Sequence, residues 1–353
     1  IMDINTSKLV LAAAGGSASD SIYVDDVFST FLYDGNGGTK TITNGIDNTE
    51  KSLVWIKCRN LNYENHMLFD TDRGVGNFIK TNSDSPQNST NNAVTAFNSD
   101  GFTTGDNGAT NNGSGEYVSW NFKAQKGFFD IVEYSGTGSA QNIAHSLGST
   151  PGMILIRCLI GTHNWEVYHR STGPTVSLHI NQPDAANSDS SVWNNTAPTS
   201  TQFTVGTNNN VNQNGHTYIA YIFAHDDAQF GTNEDESIIK CGSYTGNGST
   251  DGPEINLGFE AQWIMIKRTD TSSDWYMFDN MRGMVVGGDQ AYFEVNSSID
   301  ESTARFHDIT STGWKIVKSW DINNAYGGTY IYMAIRRPNK PPESATDVFN
   351  LTT

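Results

Sequence analysis

Carboxylate, guanidinium and aromatic side chains lie close together in two short segments, at a spacing that could serve ligand binding. Asp70 and Arg73 are three residues apart in FDTDRG, and Asp279 and Arg282 repeat that spacing in FDNMRG. A bidentate guanidinium and a carboxylate beside an aromatic ring can hold sugar hydroxyls or acidic glycans. The same pair can instead bridge across its own Gly-terminated turn and fix the loop. Both interpretations remain open at this stage, and the structural one is favoured.

The neighbouring aromatic and basic residues extend this motif to a set of candidate ligand contacts. The set comprises Asp70, Arg73, Trp165, Tyr168, His169, Arg170, Trp275, Tyr276, Asp279 and Arg282. The middle segment, YHRSTG, lacks the Asp and has Thr172 where the other two have Arg. Three equal binding sites are therefore not expected.

Motifs for catalysis and for resident metals are missing from the sequence. There is no nucleophile elbow, zinc helix or P-loop. A glycosidase needs two carboxylates that flank a sugar; acids do cluster at 64–72 and 274–279, but the middle copy offers His163, Glu166 and His169 instead. DTDRG starts like a calcium loop, yet Thr81 stands where the bidentate Glu belongs. The histidines show no ligand spacing, so we expect no enzyme activity, no cofactor and no metal.

Composition and charge narrow the class of protein. Gly, Ser, Thr and Asn are abundant, aromatic residues reach 11% and charged residues only 17%, which is typical of β proteins with neutral polar surfaces. A net charge of −17 without a basic run argues against a nucleic-acid partner. No apolar stretch is long enough to insert in a membrane. Cys58, Cys158 and Cys241 are too far apart for a disulfide framework and suit synthesis in a bacterial cytoplasm.

The two segments belong to a unit that occurs three times. LVWIK (53–57), MILIR (153–157) and WIMIK (263–267) align, and an aromatic residue, a Gly and a closing strand follow each of them in register. Alternating short strands predict an all-β fold of three tandem antiparallel β-sandwich units with jelly-roll or lectin-like shape, each of about 100 residues. The closing strand, GTYIYMAIRR in the third copy, has no polar face, which predicts a central strand that is covered on both sides.

These landmarks divide the chain into six segments. We predict an N-terminal arm (1–24), three β-sandwich units (25–124, 125–224 and 237–338), an acidic linker (225–236) and a Pro-rich C-terminal linker (339–353). TDVFN in the last segment echoes DDVFS before the first unit, which predicts that the natural chain continues beyond Thr353.

With its units aligned, the chain resembles repeat-containing virion proteins, tail-associated or fibre-like, of marine tailed bacteriophages. INTSKLVLAAAGG, VDDVFSTFLYDGNG, YSGTGSAQNIAHSLGSTPGMILIR and the closing YIYMAIRRP carry this resemblance. It implies a virion structural protein, made in the host cytoplasm, in a tail fibre or tail tip that adsorbs to the host and binds glycans weakly. It also implies other virion proteins as partners and a homo-oligomer, with a trimer favoured. The alternatives are a capsid decoration or head-fibre protein and, less favoured, a polysaccharide depolymerase.

The stretch that follows the aligned strand LVWIK, MILIR or WIMIK varies between the three copies. It reads CRNLNYENHM at 58–67, CLIGTHNWEV at 158–167 and RTDTSSDWY at 268–276. We predict that any contact with a host is made by this loop rather than by the Asp–Arg motif.

Overall fold

A computed structural model describes residues 21–62 and 64–341. Strands make up 41% of the structure and helices 6%, so the predicted all-β class is confirmed. The predicted N-terminal arm up to residue 20, the C-terminal linker from residue 342 and the predicted continuation of the chain lie outside the described residues.

Each repeat folds into one larger antiparallel sheet and one or two smaller ones. The first repeat contains β1 (Phe28–Asp34), β2 (Lys40–Thr43), β3 (Ser52–Cys58), β4 (Met67–Asp70), β5 (Asn77–Lys80), β6 (Asn88–Ser89), β7 (Val94–Asn98), β8 (Gly101–Thr104), the short helix α1 (Gly108–Asn111) and β9 (Glu116–Lys123). Its sheets have the strand orders β1-β9-β3-β4-β5-β6 and β2-β8-β7.

The second repeat has a narrower main sheet. It contains β10 (Phe129–Ser135), β11 (Gln141–Ala144), β12 (Met153–Cys158), β13 (Glu166–His169), β14 (Val176–Ser177), β15 (Asn187–Ser188), α2 (Ser190–Trp193), β16 (Gln202–Val205), α3 (Asn209–Asn212) and β17 (Thr217–Phe223). The main sheet has the order β10-β17-β12-β13, and β11 with β16 and β14 with β15 form two-stranded ladders.

The third repeat returns to the pattern of the first. It contains β18 (Ile239–Thr245), β19 (Glu254–Asn256), β20 (Ala261–Arg268), β21 (Trp275–Asp279), β22 (Gln290–Glu294), β23 (Ser302–Ala304), β24 (His307–Thr310), β25 (Gly313–Ile316), α4 (Asp321–Asn324) and β26 (Thr329–Arg336). Its sheets have the orders β18-β26-β20-β21-β22-β23 and β19-β25-β24.

The closing strand of every repeat, β9, β17 or β26, lies between two other strands of its main sheet. Its residues are buried on both faces, as the sequence predicts from the missing polar face. The same position in register is Trp120, Tyr221 and Met333, opposite Trp55, Leu155 and Met265 respectively. These six residues define equivalent points in the three units.

The two faces of a main sheet pack against different neighbours. In β3, Val54 and Ile56 point to a local core that contains Ile42 and Phe102 from the smaller sheet. The alternate residue Trp55 points the other way, into a cluster that draws on all three repeats, because side chains alternate across a strand. In the first repeat the outer face thus packs against the smaller sheet of the same repeat, whereas the inner face packs into a cluster shared with the other two repeats.

The segment 225–236, predicted to be an acidic linker, is packed in the structure. Phe230 is buried and forms an isolated β-bridge with Glu236. The amide of Gly231 donates to the carbonyl of Ile22, 2.9 Å away. The segment therefore ties the beginning of the third repeat to the residues just before the first. Among the described residues, no helix has the length and apolar character needed to cross a membrane.

Candidate functional site

The structure places the predicted ligand contacts in the interior. Of the ten residues, Arg170 alone is exposed, and the other nine are buried. Tyr168 and Tyr276 pack beneath the outer layers of their own units, Tyr168 against Trp193 and Tyr276 against Phe306. A dissolved glycan cannot reach such groups, so the ligand-contacting interpretation of Asp70, Arg73, Trp165, Tyr168, His169, Trp275, Tyr276, Asp279 and Arg282 gives way to a structural one.

Asp70 and Arg73 form a buried ion pair at the contact between the first and second units. Nε of Arg73 lies 2.5 Å from Oδ2 of Asp70, and the Arg73 amide donates to Oδ1 across 2.9 Å. Nη2 of Arg73 donates to the carbonyl of Leu68. The hydroxyl of Tyr221 from the second unit donates to Oδ2 of Asp70 across 2.6 Å and lies 3.1 Å from Nη2 of Arg73. The pair therefore bridges its own turn and also binds the neighbouring unit.

Asp279 and Arg282 repeat this arrangement between the third and first units. The Nε–Oδ2 distance is again 2.5 Å and the amide bond 2.9 Å. Here Nε1 of Trp120, from the first unit, donates to Oδ2 of Asp279 across 3.0 Å. The Arg282 guanidinium also lies 4.4 Å from the ring centroid of Phe293, a cation–π contact, and 3.3 Å from a carboxylate oxygen of Glu301.

His169 takes the place of the aspartate at the third contact, between the second and third units. Its Nε2 donates to the carbonyl of Tyr332 across 3.1 Å, and its Nδ1 accepts the amide of Ser171. Burial lowers the pKa of His169 to about 4, so the neutral imidazole makes both bonds. The residue after Tyr332 is Met333, which has no donor to offer a carboxylate. A donor side chain that reaches a carbonyl is therefore the group that fits this contact.

The three contacts form a closed cycle. The first unit reaches the second through Asp70, the second reaches the third through His169, and the third reaches the first through Asp279. Backbone bonds repeat the cycle: Gln87 N to Leu159 O, Ala186 N to Thr269 O and Glu301 N to Arg59 O, at 3.1, 2.8 and 3.0 Å. The units thus surround one core with approximate threefold symmetry.

Three buried cations reinforce this ring from equivalent positions at the ends of β3, β12 and β20. Each donates to a carbonyl in the variable loop of its own unit and to a carbonyl of the unit that precedes it in the cycle. The Nζ of Lys57 bonds Ser298 O, a guanidinium nitrogen of Arg157 bonds Ser85 O, and the Nζ of Lys267 bonds Pro183 O. Burial lowers the pKa of Lys57 and of Lys267 to about 8, and that of Arg157 to about 10.

Trp165 and Trp275 also connect neighbouring units. Their Nε1 atoms donate across units to the carbonyls of Lys80 and His179, both at 2.9 Å. His66 occupies the equivalent position in the first unit, but its Nδ1 accepts from Nε1 of Trp55 within the same unit, across 3.1 Å. The variable loops that precede these residues are consequently anchored at their inner ends and free to differ at their outer ends.

A protein-family model described as a domain of unknown function (DUF7483) matches residues 24–338. The chain belongs to this family. The matched range starts before β1 and ends after β26, so a single DUF7483 domain includes all three units. This extent agrees with a fold in which no unit has a complete core of its own. A search of curated proteins finds no relative of the chain.

The DUF7483 domain carries one donor cluster that the sequence interpretation missed. Cys158, His163 and His216 bring one ligand atom each to within 4.8 Å of the others, although the sequence predicts histidines without ligand spacing. Two loops far apart in sequence create the cluster, so spacing alone could not reveal it. The available signal was the repeat alignment: His216 stands where the other units have Gly115 and Gly328, two residues before the paired tyrosine of each closing strand.

Proposed function

We propose that this DUF7483 domain is a non-catalytic structural module of a phage virion that displays its outer loops to a host, in a tail fibre or tail tip. The observation that carries the structural part is the closed ring. The two repeated Asp–Arg pairs and the three buried cations all make bonds that hold the units together. A rigid body with a shared core is suited to bearing load and to presenting surfaces, and the virion setting rests on the sequence resemblance.

Neutral polar chemistry supports weak glycan contact at the outer surface. A groove of about 340 Å³ between the second and third units is lined by hydroxyl groups, including those of Thr172, Ser243 and Thr329. On the third unit, Tyr326 is 89% exposed and Trp320 is 41% exposed. Exposed aromatic rings and hydroxyls are the groups that stack on and hydrogen-bond to sugars. A net charge of −17 opposes attraction to anionic envelopes, so short-range contacts must supply the affinity.

The ring also bears on assembly. A chain that carries three similar units around one axis can occupy a threefold axis as a single copy, or can be one protomer of a larger symmetric fibre. Either arrangement multiplies weak contacts into useful avidity. Other virion proteins and further copies of this chain are accordingly the partners that we propose, with a trimer favoured.

Location in an intact particle is the decisive test. Gold-labelled antibody against the purified domain is expected at the tail, and the same antibody is expected to block adsorption. Label spread over the capsid, together with normal adsorption after the protein is removed, would support a decoration protein instead. Release of reducing ends from host polysaccharide by the purified domain would overturn the non-catalytic part. Substitution of Asp70 or Asp279 cannot decide that question, because both are buried and their replacement destabilises the fold.

Sugar contact can be tested separately on host cells. Binding of fluorescent purified domain to host cells is expected to fall several-fold for Tyr326→Ser. Val286→Ser is a matched control, because Val286 is also on the third unit and is 71% exposed. Equal binding by both variants and the unaltered domain would remove Tyr326 from the proposal, and no binding by any of them would remove host contact by this domain.

A further inference from the structure

The cluster of Cys158, His163 and His216 has donors from three places in the second unit. Cys158 ends β12, His163 lies in the variable loop that follows, and His216 directly precedes β17. Sγ of Cys158 is 3.4 Å from Nδ1 of His216, and the two imidazoles meet edge to face with centroids 5.6 Å apart. Within the described part of the chain, this is the group of three Cys, His, Asp or Glu residues whose ligand atoms all lie within 4.8 Å of one another.

The distances match those of a tetrahedral metal site. Zinc–sulfur bonds of about 2.3 Å and zinc–nitrogen bonds of about 2.0 Å at a tetrahedral angle separate the two ligand atoms by about 3.5 Å. The observed Cys158–His216 separation of 3.4 Å is therefore already that of two ligands on one ion. His163 needs only a small side-chain movement, and it lies on a loop next to Gly161.

The surroundings of His163 orient it as a ligand. Its Nδ1 lies 3.3 Å from Oδ1 of Asn210, and Nδ2 of Asn210 donates to Oε1 of the buried Glu166 across 2.7 Å. With the Nδ1 proton engaged by Asn210, the lone pair on Nε2 is available. Metal-bound histidines are commonly fixed in this way by a hydrogen bond to the second ring nitrogen.

We propose that Cys158, His163 and His216 bind one late first-row divalent cation, of the class of Zn²⁺ or Co²⁺. Thiolate and imidazole ligands select this class over Mg²⁺ or Ca²⁺. Cys158 is buried and the two histidines are half-buried, so the fourth position faces solvent and takes water or a donor from another molecule. Binding replaces the thiol proton: one S–H bond breaks, one metal–sulfur bond forms, and the proton is released to solvent.

The chain provides its own comparison for this site. The first unit has Cys58 at the place of Cys158 but Gly115 at the place of His216, and the third unit has Arg268 and Gly328 there. The site therefore belongs to the second unit alone and is no part of the shared framework.

Cobalt titration of the purified, tag-free, metal-stripped chain tests this proposal. One equivalent of Co²⁺ is expected to bind with a thiolate-to-cobalt charge-transfer band and the visible spectrum of tetrahedral cobalt, and Zn²⁺ is expected to displace it. Cys58→Ser is expected to keep the band and Cys158→Ser to abolish it. His216→Gly introduces the residue that the other units carry, and is expected to weaken binding at least tenfold; Asn210→Ala is expected to weaken it roughly tenfold.

The outcomes separate cleanly, provided that circular dichroism shows each variant folded. Absence of the charge-transfer band in the unaltered chain, or its survival in Cys158→Ser, would overturn the proposal. Loss in Cys58→Ser would place the cobalt at a different cysteine and would overturn it too. A rise in melting temperature with Zn²⁺ that disappears in His216→Gly supports the proposal without relying on cobalt.

Discussion

Neutralising one buried carboxylate tests whether the Asp–Arg pairs hold the ring together. In Asp70→Asn the side chain keeps its shape and one oxygen, but the guanidinium of Arg73 loses its negative partner. Asp70 is fully buried and the Arg73 side chain is 1% exposed. A buried charge left without its partner costs about 3–5 kcal/mol. That is a large part of the total of about 5–15 kcal/mol expected for a folded domain.

The second pair provides an internal comparison, because its surroundings differ. In Asp279→Asn, Arg282 keeps a second carboxylate, that of Glu301 at 3.3 Å. Asp70 is the one acidic group within ion-pair distance of Arg73 among the described residues. A hydrogen bond to a charged group contributes about 1.5–3 kcal/mol. We therefore expect Asp279→Asn to cost roughly 1.5 kcal/mol less than Asp70→Asn.

Urea unfolding at pH 7, followed by tryptophan fluorescence and circular dichroism, measures both values. Asp34→Asn is the control, since Asp34 is exposed and its replacement should change the free energy of unfolding by no more than about 0.5 kcal/mol. Replacing both charges, with Asp70→Leu and Arg73→Met together, should recover part of the loss. A loss below 1 kcal/mol for Asp70→Asn, or a larger loss for Asp279→Asn, would refute the electrostatic account of the ring.

Three further predictions concern buried or half-buried titratable groups. His307 is fully buried and neither ring nitrogen has a partner within the described residues. His307→Phe should therefore raise the free energy of unfolding by about 1 kcal/mol, which a higher melting temperature would show. Burial and Asp274 raise the pKa of Glu294 to about 7. The folded state thus favours the protonated acid, and the free energy of unfolding falls as pH rises through 7. Glu294→Gln should therefore be about 1 kcal/mol more stable than the unaltered chain at pH 8 after solvent screening, with no gain at pH 4. Burial holds the pKa of His169 at about 4, below the unfolded value, so its contribution of about 3 kcal/mol is lost as pH falls from 6.5 through 4, and His169→Gln should flatten that loss in urea titrations at pH 6.5 and 4.5.

The periodicity of the sequence predicts the strands of this fold better than it predicts which residues pack against them. Alternation along GTYIYMAIRR shows that both faces of the closing strand are buried, and the structure agrees. Alternation cannot say what covers a face, since an apolar residue such as Trp55 packs equally well against its own unit or another. The Asp70–Arg73 spacing likewise predicts a bridged turn, but the acceptor of Tyr221 is 151 residues away in the chain. The Cys158–His216 proximity arises from pairing between β12 and β17, which residue spacing does not encode.

At each contact of the ring, the residue on one unit must match the residue on the neighbouring unit, and this explains where the units are free to differ. Where the neighbouring unit presents a donor, Trp120 or Tyr221, the contact has an aspartate as acceptor. Where the neighbour has Met333, which has no donor, the aspartate is replaced by His169, which donates to a carbonyl. A change on one side of these interfaces thus requires a matching change on the other, because an unpaired polar group in the core is costly.

The outer loops are under no such pairwise constraint, since water can satisfy any polar group that they expose. Features found in only one unit occur there: the Cys158 cluster in the second unit, and Tyr326 in the third. A repeated motif in this fold therefore indicates cohesion, while an unrepeated group at the surface indicates a specific task. Binding partners should accordingly be sought with variants of single-unit surface residues, and the Asp–Arg motif, despite its chemistry, is the poorest place to look for them.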